Sequence, residues 1–437
     1  MDPIVLGVAI LGVMFALMAL HVPIGFAMAF AGFLGTGFLL GWKPAVTLFG
    51  SVPTELMTNN ELATIPMFLA MGSLAGAAGM STDLYRLFNA FVGHYRGGLA
   101  IATVGGCGGF AAVCGSSVAT AATFMRIAYP EMKRQGYSDE LATGCIAAGG
   151  TLGILIPPSV LLILYALLTE QFILALFVAG IFPGLLAILL YVFAVLLHTR
   201  LRPEAGPAAQ RVRWSERIAV LRQAWRVLVL VAVVSGGIYG GFFTVNEAAA
   251  VGVCLAFVFG IPRGILRLAV LRGVLAETAS TTVMIFVIII GATIFSKFIA
   301  LTQLPETLVR EITALGLSTW LVVLVLLATY LVLGCIFDSV AAMVITLPVV
   351  FPLIVGLGFD PVWWGIINIM VIEIGMITPP IGINVFVIQG MAPQIPMRTI
   401  FAGVTWFFVS DLVRLAAVTF WPQISLWLPA ALGVLHR

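Results

Sequence analysis

Gly153-Ile-Leu-Ile-Pro-Pro158 stands inside one apolar run of the chain, and Gly375-Met-Ile-Thr-Pro-Pro380 stands inside another, 222 positions later. The register extends upstream at the same offset, with Ser117 falling on Ser339, Pro130 on Pro352, and Gly136-Tyr137 on Gly358-Phe359. The chain is therefore a duplication. Each copy carries a Gly-rich apolar stretch, a polar tip, a short hydrophilic loop, and an apolar helix broken by a proline pair. Two successive prolines remove two backbone donors, so at membrane depth they leave carbonyls that need other partners. Paired broken helices in the two halves of a chain predict a secondary transporter.

Composition puts the whole length in a bilayer: 62% of the 437 residues are hydrophobic, 9% are charged, and the mean hydropathy is +1.16. No stretch reads as a soluble domain, and Met1-Asp2-Pro3 lacks the basic start of a cleaved signal peptide. A formal charge of +3 gives nucleic-acid binding little support. The five cysteines, Cys107, Cys114, Cys145, Cys254 and Cys335, form no C-x-x-C and read as buried free thiols. The histidines (His21, His94, His198 and His436) are dispersed, so no catalytic or transition-metal cluster is expected.

A membrane helix needs about 20 apolar residues. Spans are expected at about 4–20, 22–41, 62–80, 139–168 and 171–199, then at about 227–243, 244–261, 278–300, 362–389 and 400–420. Two further apolar stretches, about 98–128 and 320–350, are interrupted at Gly115-Ser116-Ser117 and at Phe337-Asp338-Ser339. A carboxylate at the centre of an ordinary span costs about 2.5–3.5 kcal/mol, so both stretches read as re-entrant hairpins with polar tips. Residues 1–199 form the first repeat, 200–226 a linker and 227–437 the second repeat. The linker is rich in arginine, from Arg200 to Arg226, which places it in the cytoplasm and the N-terminus outside. Five full spans precede it, an odd number, so the second repeat is inverted and its hairpin enters from the opposite face. Amphipathic stretches at about Lys43–Glu61, Asp83–Arg96 and Gln303–Thr319 read either as interfacial helices or as connecting loops.

The tips and breaks form the candidate site. A helix restarting after Ser116-Ser117 turns free N–H groups and a positive dipole end toward the membrane centre, which suits an anion. Interrupted helices offer carbonyl and hydroxyl oxygens, the ligands of a hard monovalent cation such as sodium. Substrate is assigned to Ser116, Ser117, Asp338, Ser339, Thr378 and Asn384. Sodium ions, as coupling ion, are assigned to Gly115, Ser116, Gly150, Thr151, Pro157, Phe337, Asp338, Gly375, Thr378 and Pro379. Asp411 and Arg414, three apart on one helix, should pair, while Glu247 fits a helix N-terminal charge. Arg126 lies near the cytoplasmic base of the first hairpin, where a long basic side chain can snorkel, and Glu373 has no assigned role. There is no G-x-x-x-x-G-K-[ST], no H-E-x-x-H and no G-x-S-x-G elbow, so an ion gradient should drive transport and no enzyme activity is expected.

His21-Val-Pro-Ile-Gly-Phe26, Ala63-Thr-Ile-Pro-Met-Phe68, Arg96-Gly-Gly-Leu-Ala100, Ala147-Ala-Gly-Gly-Thr-Leu-Gly-Ile-Leu-Ile-Pro-Pro-Ser159, Gly237-Ile-Tyr-Gly-Gly241 and Ile377-Thr-Pro-Pro-Ile-Gly382 resemble the large membrane subunit of tripartite ATP-independent periplasmic (TRAP) transporters, the DctM-like family. The resemblance runs through the chain in order. It implies an all-α polytopic membrane protein in a bacterial inner membrane, with a scaffold and an elevator-type transport domain. Sodium-coupled uptake of an organic anion is implied, the substrate being a C4-dicarboxylate, sialic acid or a similar carboxylate. A periplasmic binding protein would deliver it, and a small four-helix membrane subunit would be a separate chain. Val245-Asn246 departs from the Thr-Pro-like pattern of that turn in the family. The alternative is a stand-alone sodium-dicarboxylate symporter or exchanger of the same architecture.

Overall fold

A computed structural model describes residues 2–435, so His436 lies outside the described residues. Among these residues the secondary structure is helical throughout. Seven helices are long and apolar enough to cross a membrane, or up to nine if each of two bent pairs counts as one span.

The duplication is visible in helix boundaries. The first hairpin comprises Gly98–Cys114 and Ser117–Arg134, the second Thr319–Ile336 and Ser339–Gly356. In both, the second arm runs several residues beyond the sequence expectation. The first broken helix is Asp139–Leu155 followed by Val160–Thr169, and the second is Pro361–Gly375 followed by Ile383–Met391. Each hairpin's second arm and each broken helix starts on an N-cap side chain: Ser116, Ser138, Asp338 and Asp360 accept backbone N–H bonds of the first turn. The long helices after the breaks, Ile173–Leu201 and Met397–Phe420, also correspond.

The repeats are inverted. Glu140, at the start of the first broken helix, pairs with Arg202 at 3.1 Å, beside the basic linker. A methyl at Gly403 would lie 2.8 Å from the Glu140 carbonyl carbon, so helix Met397–Phe420 begins at that basic end. It finishes at the other end, where Phe420 meets Trp320 and Trp320 meets Phe359, at the base of the second hairpin. Accordingly Tyr165, late in the first broken helix, donates to the carbonyl of Pro361 at the start of the second, 2.7 Å away.

A second group of helices surrounds this core. Ile24–Leu40 packs against Leu268–Thr302 through glycine: a methyl at Gly25 would stand 2.5 Å from the Val287 carbonyl oxygen. Small residues of this kind let membrane helices approach closely. Leu268–Thr302 exceeds the span expected from sequence, beginning ten residues earlier, at Leu268. The three amphipathic stretches are helices: Trp42–Met57, Met80–Val92 and Leu304–Ala314. The last two each pack on the hairpin that follows them, Met80–Val92 on the first arm of the first hairpin through Phe88 at Gly105, and Leu304–Ala314 on the second arm of the second hairpin through Val309 at Gly356. The linker is pinned to the base of the first hairpin by Gly97 N–H to the Gly206 carbonyl and Ser138 N–H to the Ala205 carbonyl, at 2.9 and 3.0 Å. Of the five free cysteines four are buried, whereas Cys254 is exposed, against the reading of all five as interior thiols.

Candidate transport site

At the first tip Gly115 has φ +63°, and a methyl there would stand 3.3 Å from the Pro158 carbonyl oxygen, so the turn lies directly on the first break. Half-buried Ser116 caps the second arm through the Ala119 N–H at 3.4 Å. Gly150 and Gly153 face this turn: a methyl at Gly153 would stand 2.6 Å from the Ser116 carbonyl oxygen, and one at Gly150 3.2 Å from that of Ser117. Close backbone approach explains the Gly-rich run, and it brings Gly115, Ser116, Ser117, Gly150 and buried Pro157 into one neighbourhood.

Proline at 157 and 158 removes the N–H groups that would bond the carbonyls of Gly153 and Ile154 in a continuous helix. The Ser159 hydroxyl donates to the Ile154 carbonyl at 2.5 Å. In the second break the equivalent carbonyls belong to Gly375 and Met376, and both receive backbone donors, from Thr378 at 3.0 Å and Asn384 at 3.1 Å. The Pro157-Pro158 and Pro379-Pro380 bonds are both cis.

The second tip rests on the second break in the same way. Gly334 and Gly375 are in backbone contact, a methyl at Gly375 reaching 2.5 Å from the Gly334 carbonyl carbon, and Gly382 N–H donates to the Cys335 carbonyl at 3.4 Å. Phe337 and Ser339 are half-buried. Asp338 is exposed and not enclosed in protein, and its Oδ1 accepts the N–H groups of Val340 and Ala341 at 2.9 and 3.1 Å. Its position is that of Ser116 in the first repeat, so two different side chains perform the same capping. The half-buried Thr378 hydroxyl donates to the Ile374 carbonyl at 2.5 Å, and Pro379 is exposed.

Asn384 joins the two halves. Its buried side-chain amide donates to the Ser117 hydroxyl at 2.7 Å and to the Ala147 carbonyl at 3.2 Å, while among the described residues Oδ1 has no hydrogen-bond partner. Both tips thereby converge on the segment Met376–Asn384, the second through Gly382 and the first through Asn384.

Thr151 is the candidate that turns away. Its hydroxyl donates to the Ala148 carbonyl at 2.7 Å and meets the Tyr191 hydroxyl at 3.2 Å. Tyr191 donates to Asp411 at 2.7 Å; Arg414 lies 2.9 Å from Asp411 and 3.2 Å from Glu373, and the three charged side chains are fully buried. The Asp411–Arg414 pair agrees with the sequence, but Glu373 and Tyr191 as its partners were missed. A signal existed, since Glu373 is the 222-offset equivalent of Thr151. Glu247 fills the capping role expected of it, in a capping box with Thr244.

Paired hairpins meeting paired helix breaks inside an inverted duplication define a polytopic membrane protein of the secondary-carrier class. A family model described as "Tripartite ATP-independent periplasmic transporter, DctM component" matches residues 11–424, and the chain belongs to that family. It is 40% identical to the C4-dicarboxylate TRAP transporter large permease protein DctM of Pseudomonas aeruginosa, over 87% of this chain and 88% of that protein. It is 30% identical to the sialic acid TRAP transporter large permease protein SiaM of Vibrio cholerae, over 96% of both chains. Among solved structures the YdaH transporter of Alcanivorax borkumensis shares the fold, with a TM-score of 0.62 at 18% identity, covering 90% of each chain.

Proposed function

We propose that this chain is the large permease subunit of an inner-membrane carrier that takes up an organic anion bearing a carboxylate, coupled to sodium. A C4-dicarboxylate is the substrate class favoured by the 40% identity to the Pseudomonas aeruginosa permease. The observation that carries the reading is the convergence of both tips on Met376–Asn384. At that meeting point the start of the first hairpin's second arm would turn its first-turn N–H groups toward an anion, and the break carbonyls, through their second lone pairs, would be the oxygens offered to a hard cation. Ser116, Ser117, Asp338, Ser339, Thr378 and Asn384 would contact substrate. The backbone around Gly115, Gly150, Pro157, Phe337, Gly375 and Pro379 would hold sodium. The side chain of Thr151, held by Tyr191, is left out of the cation shell.

In this reading the hairpins and broken helices move as one elevator-like body against the helices Ile24–Leu40, Val245–Gly260 and Leu268–Thr302. A separate small membrane subunit and a soluble periplasmic binding protein complete the system. An ion drives uptake only if it binds more favourably with substrate than alone. The test is succinate uptake into proteoliposomes holding both membrane subunits, with the binding protein added outside. Uptake should require a sodium gradient and ignore ATP. Full uptake with potassium in place of sodium overturns the coupling, and full uptake without the binding protein favours a stand-alone symporter.

A further inference from the structure

A crevice of 790 Å³ runs between the first hairpin and the helices Thr64–Ala77, Met80–Val92 and Leu268–Thr302. Cys114 and Ser116, at the tip, line its deep part, and Gly79 lines the part beside Arg263, at the basic end of the molecule. One wall is a single face of the hairpin's second arm, carrying Ser116, Thr123 and Arg126 at helical spacing. The other wall carries Ser73 and Glu277, whose carboxylate accepts the Ser73 hydroxyl at 2.7 Å. Arg126 is exposed, and among the described residues it forms no salt bridge, unlike Arg263, which pairs with Asp83 at 2.7 Å.

A guanidinium with open donors in a crevice that also carries Ser73, Ser116, Thr123 and Glu277 is a receptor for a carboxylate or sulfonate, which it can grip through two parallel N–H bonds. Ten residues of helix separate Arg126 from Ser116, about 15 Å at the usual rise. A small anion held at the tip does not reach Arg126, so the two are successive stations. We propose that Arg126 forms a second anion subsite, on the path from the first tip to the basic end, which receives the acidic group of the departing substrate. The proposal rests on the reading above that the cargo is an anion passing the first hairpin. Snorkelling alone would direct Arg126 to a lipid interface, whereas here it lines a cavity with Thr123 and Glu277.

The test uses the purified complex with its small membrane subunit, all five cysteines replaced by alanine, and Thr123→Cys as reporter. Labelling rates are compared for a negatively charged sulfonatoethyl and a positively charged trimethylammonium-ethyl methanethiosulfonate. The ratio of anionic to cationic labelling should fall about ten-fold on Arg126→Gln, stay unchanged on Arg126→Lys and rise on Glu277→Gln. Succinate uptake should be slowed about ten-fold by Arg126→Gln and largely restored in Arg126→Lys. An unchanged labelling ratio overturns the proposal, as does Arg126→Gln that transports at the unmodified rate. A ratio that falls as expected in a carrier that does not move succinate upholds the anion subsite and overturns the substrate reading instead.

Discussion

At the first break Pro157, Pro158 and Ser159 are all buried, with Gly153 pressed against the Ser116 carbonyl; at the second, Pro379 and Pro380 are exposed and Thr378 is half-buried. The hairpins differ likewise. The first arm of the first, Gly98–Cys114, is almost wholly buried, whereas Thr319–Ile336 leaves Leu321, Val325, Val332 and Ile336 exposed. The same motif thus sits in one sealed and one open setting. The orphan carbonyls follow that division. Ile154 is satisfied by a side chain of its own loop, Ser159, and Met376 by the Asn384 N–H, which leaves the Asn384 amide to cross to Ser117. Two copies of one local solution therefore perform different tasks, the first packing within its own repeat and the second holding the repeats together.

The largest effect should come from the polar network, where the equivalent positions differ most, Thr151 carrying a hydroxyl and Glu373 a buried carboxyl. Arg414→Leu leaves Glu373 and Asp411 buried without a counter-charge and should destabilise the protein by about 3–5 kcal/mol. Glu373→Gln keeps an acceptor for Arg414 and should cost less. Thermal unfolding of the purified complex measures both; equal midpoints for Arg414→Leu and the unmodified chain would mean that the network does not hold the four helices together.

Next come the glycines. Gly153→Ala and Gly375→Ala both drive a methyl into backbone of the adjoining hairpin, an overpacking worth about 1–3 kcal/mol. The sealed break has less room to shift, so Gly153→Ala should be the more damaging in unfolding and uptake assays. The reverse order would break the contrast between sealed and open settings.

Asn384→Ala removes the donor shared by Ser117 and Ala147, at about 1–3 kcal/mol. A double-mutant cycle with Ser117→Ala should return a coupling of about 0.5–3 kcal/mol, and additive effects would show that the repeats are not joined there. The smallest stability changes are expected at the caps, where Ser116→Ala and Asp338→Ala each cost about 0.5–2 kcal/mol. Both should shift the sodium dependence of uptake well beyond what that loss explains. Unchanged sodium dependence in the two variants would reduce both tips to capping alone.

Much of the architecture could be read because it is local. The helices that end at Cys114 and Ile336 and restart at Ser117 and Ser339 do so because Ser116 and Asp338 cap the next turn. Those caps and the prolines act within four residues of themselves. The amphipathic stretches were ambiguous because whether Met80–Val92 is a loop or a helix depends on the first hairpin that covers its apolar face.

By itself the sequence determined the duplication, its inversion, the two hairpins, the two breaks and the pairing of Asp411 with Arg414, because each rests on register, spacing or charge placement along the chain. Only the tertiary structure decided that Asp338 is exposed, that Thr151 turns to Tyr191, that Glu373 completes the buried network and that Arg126 faces a crevice. These outcomes depend on which distant helix comes to lie against each side chain, and a bilayer-filling composition leaves nearly every helix apolar enough to be the neighbour.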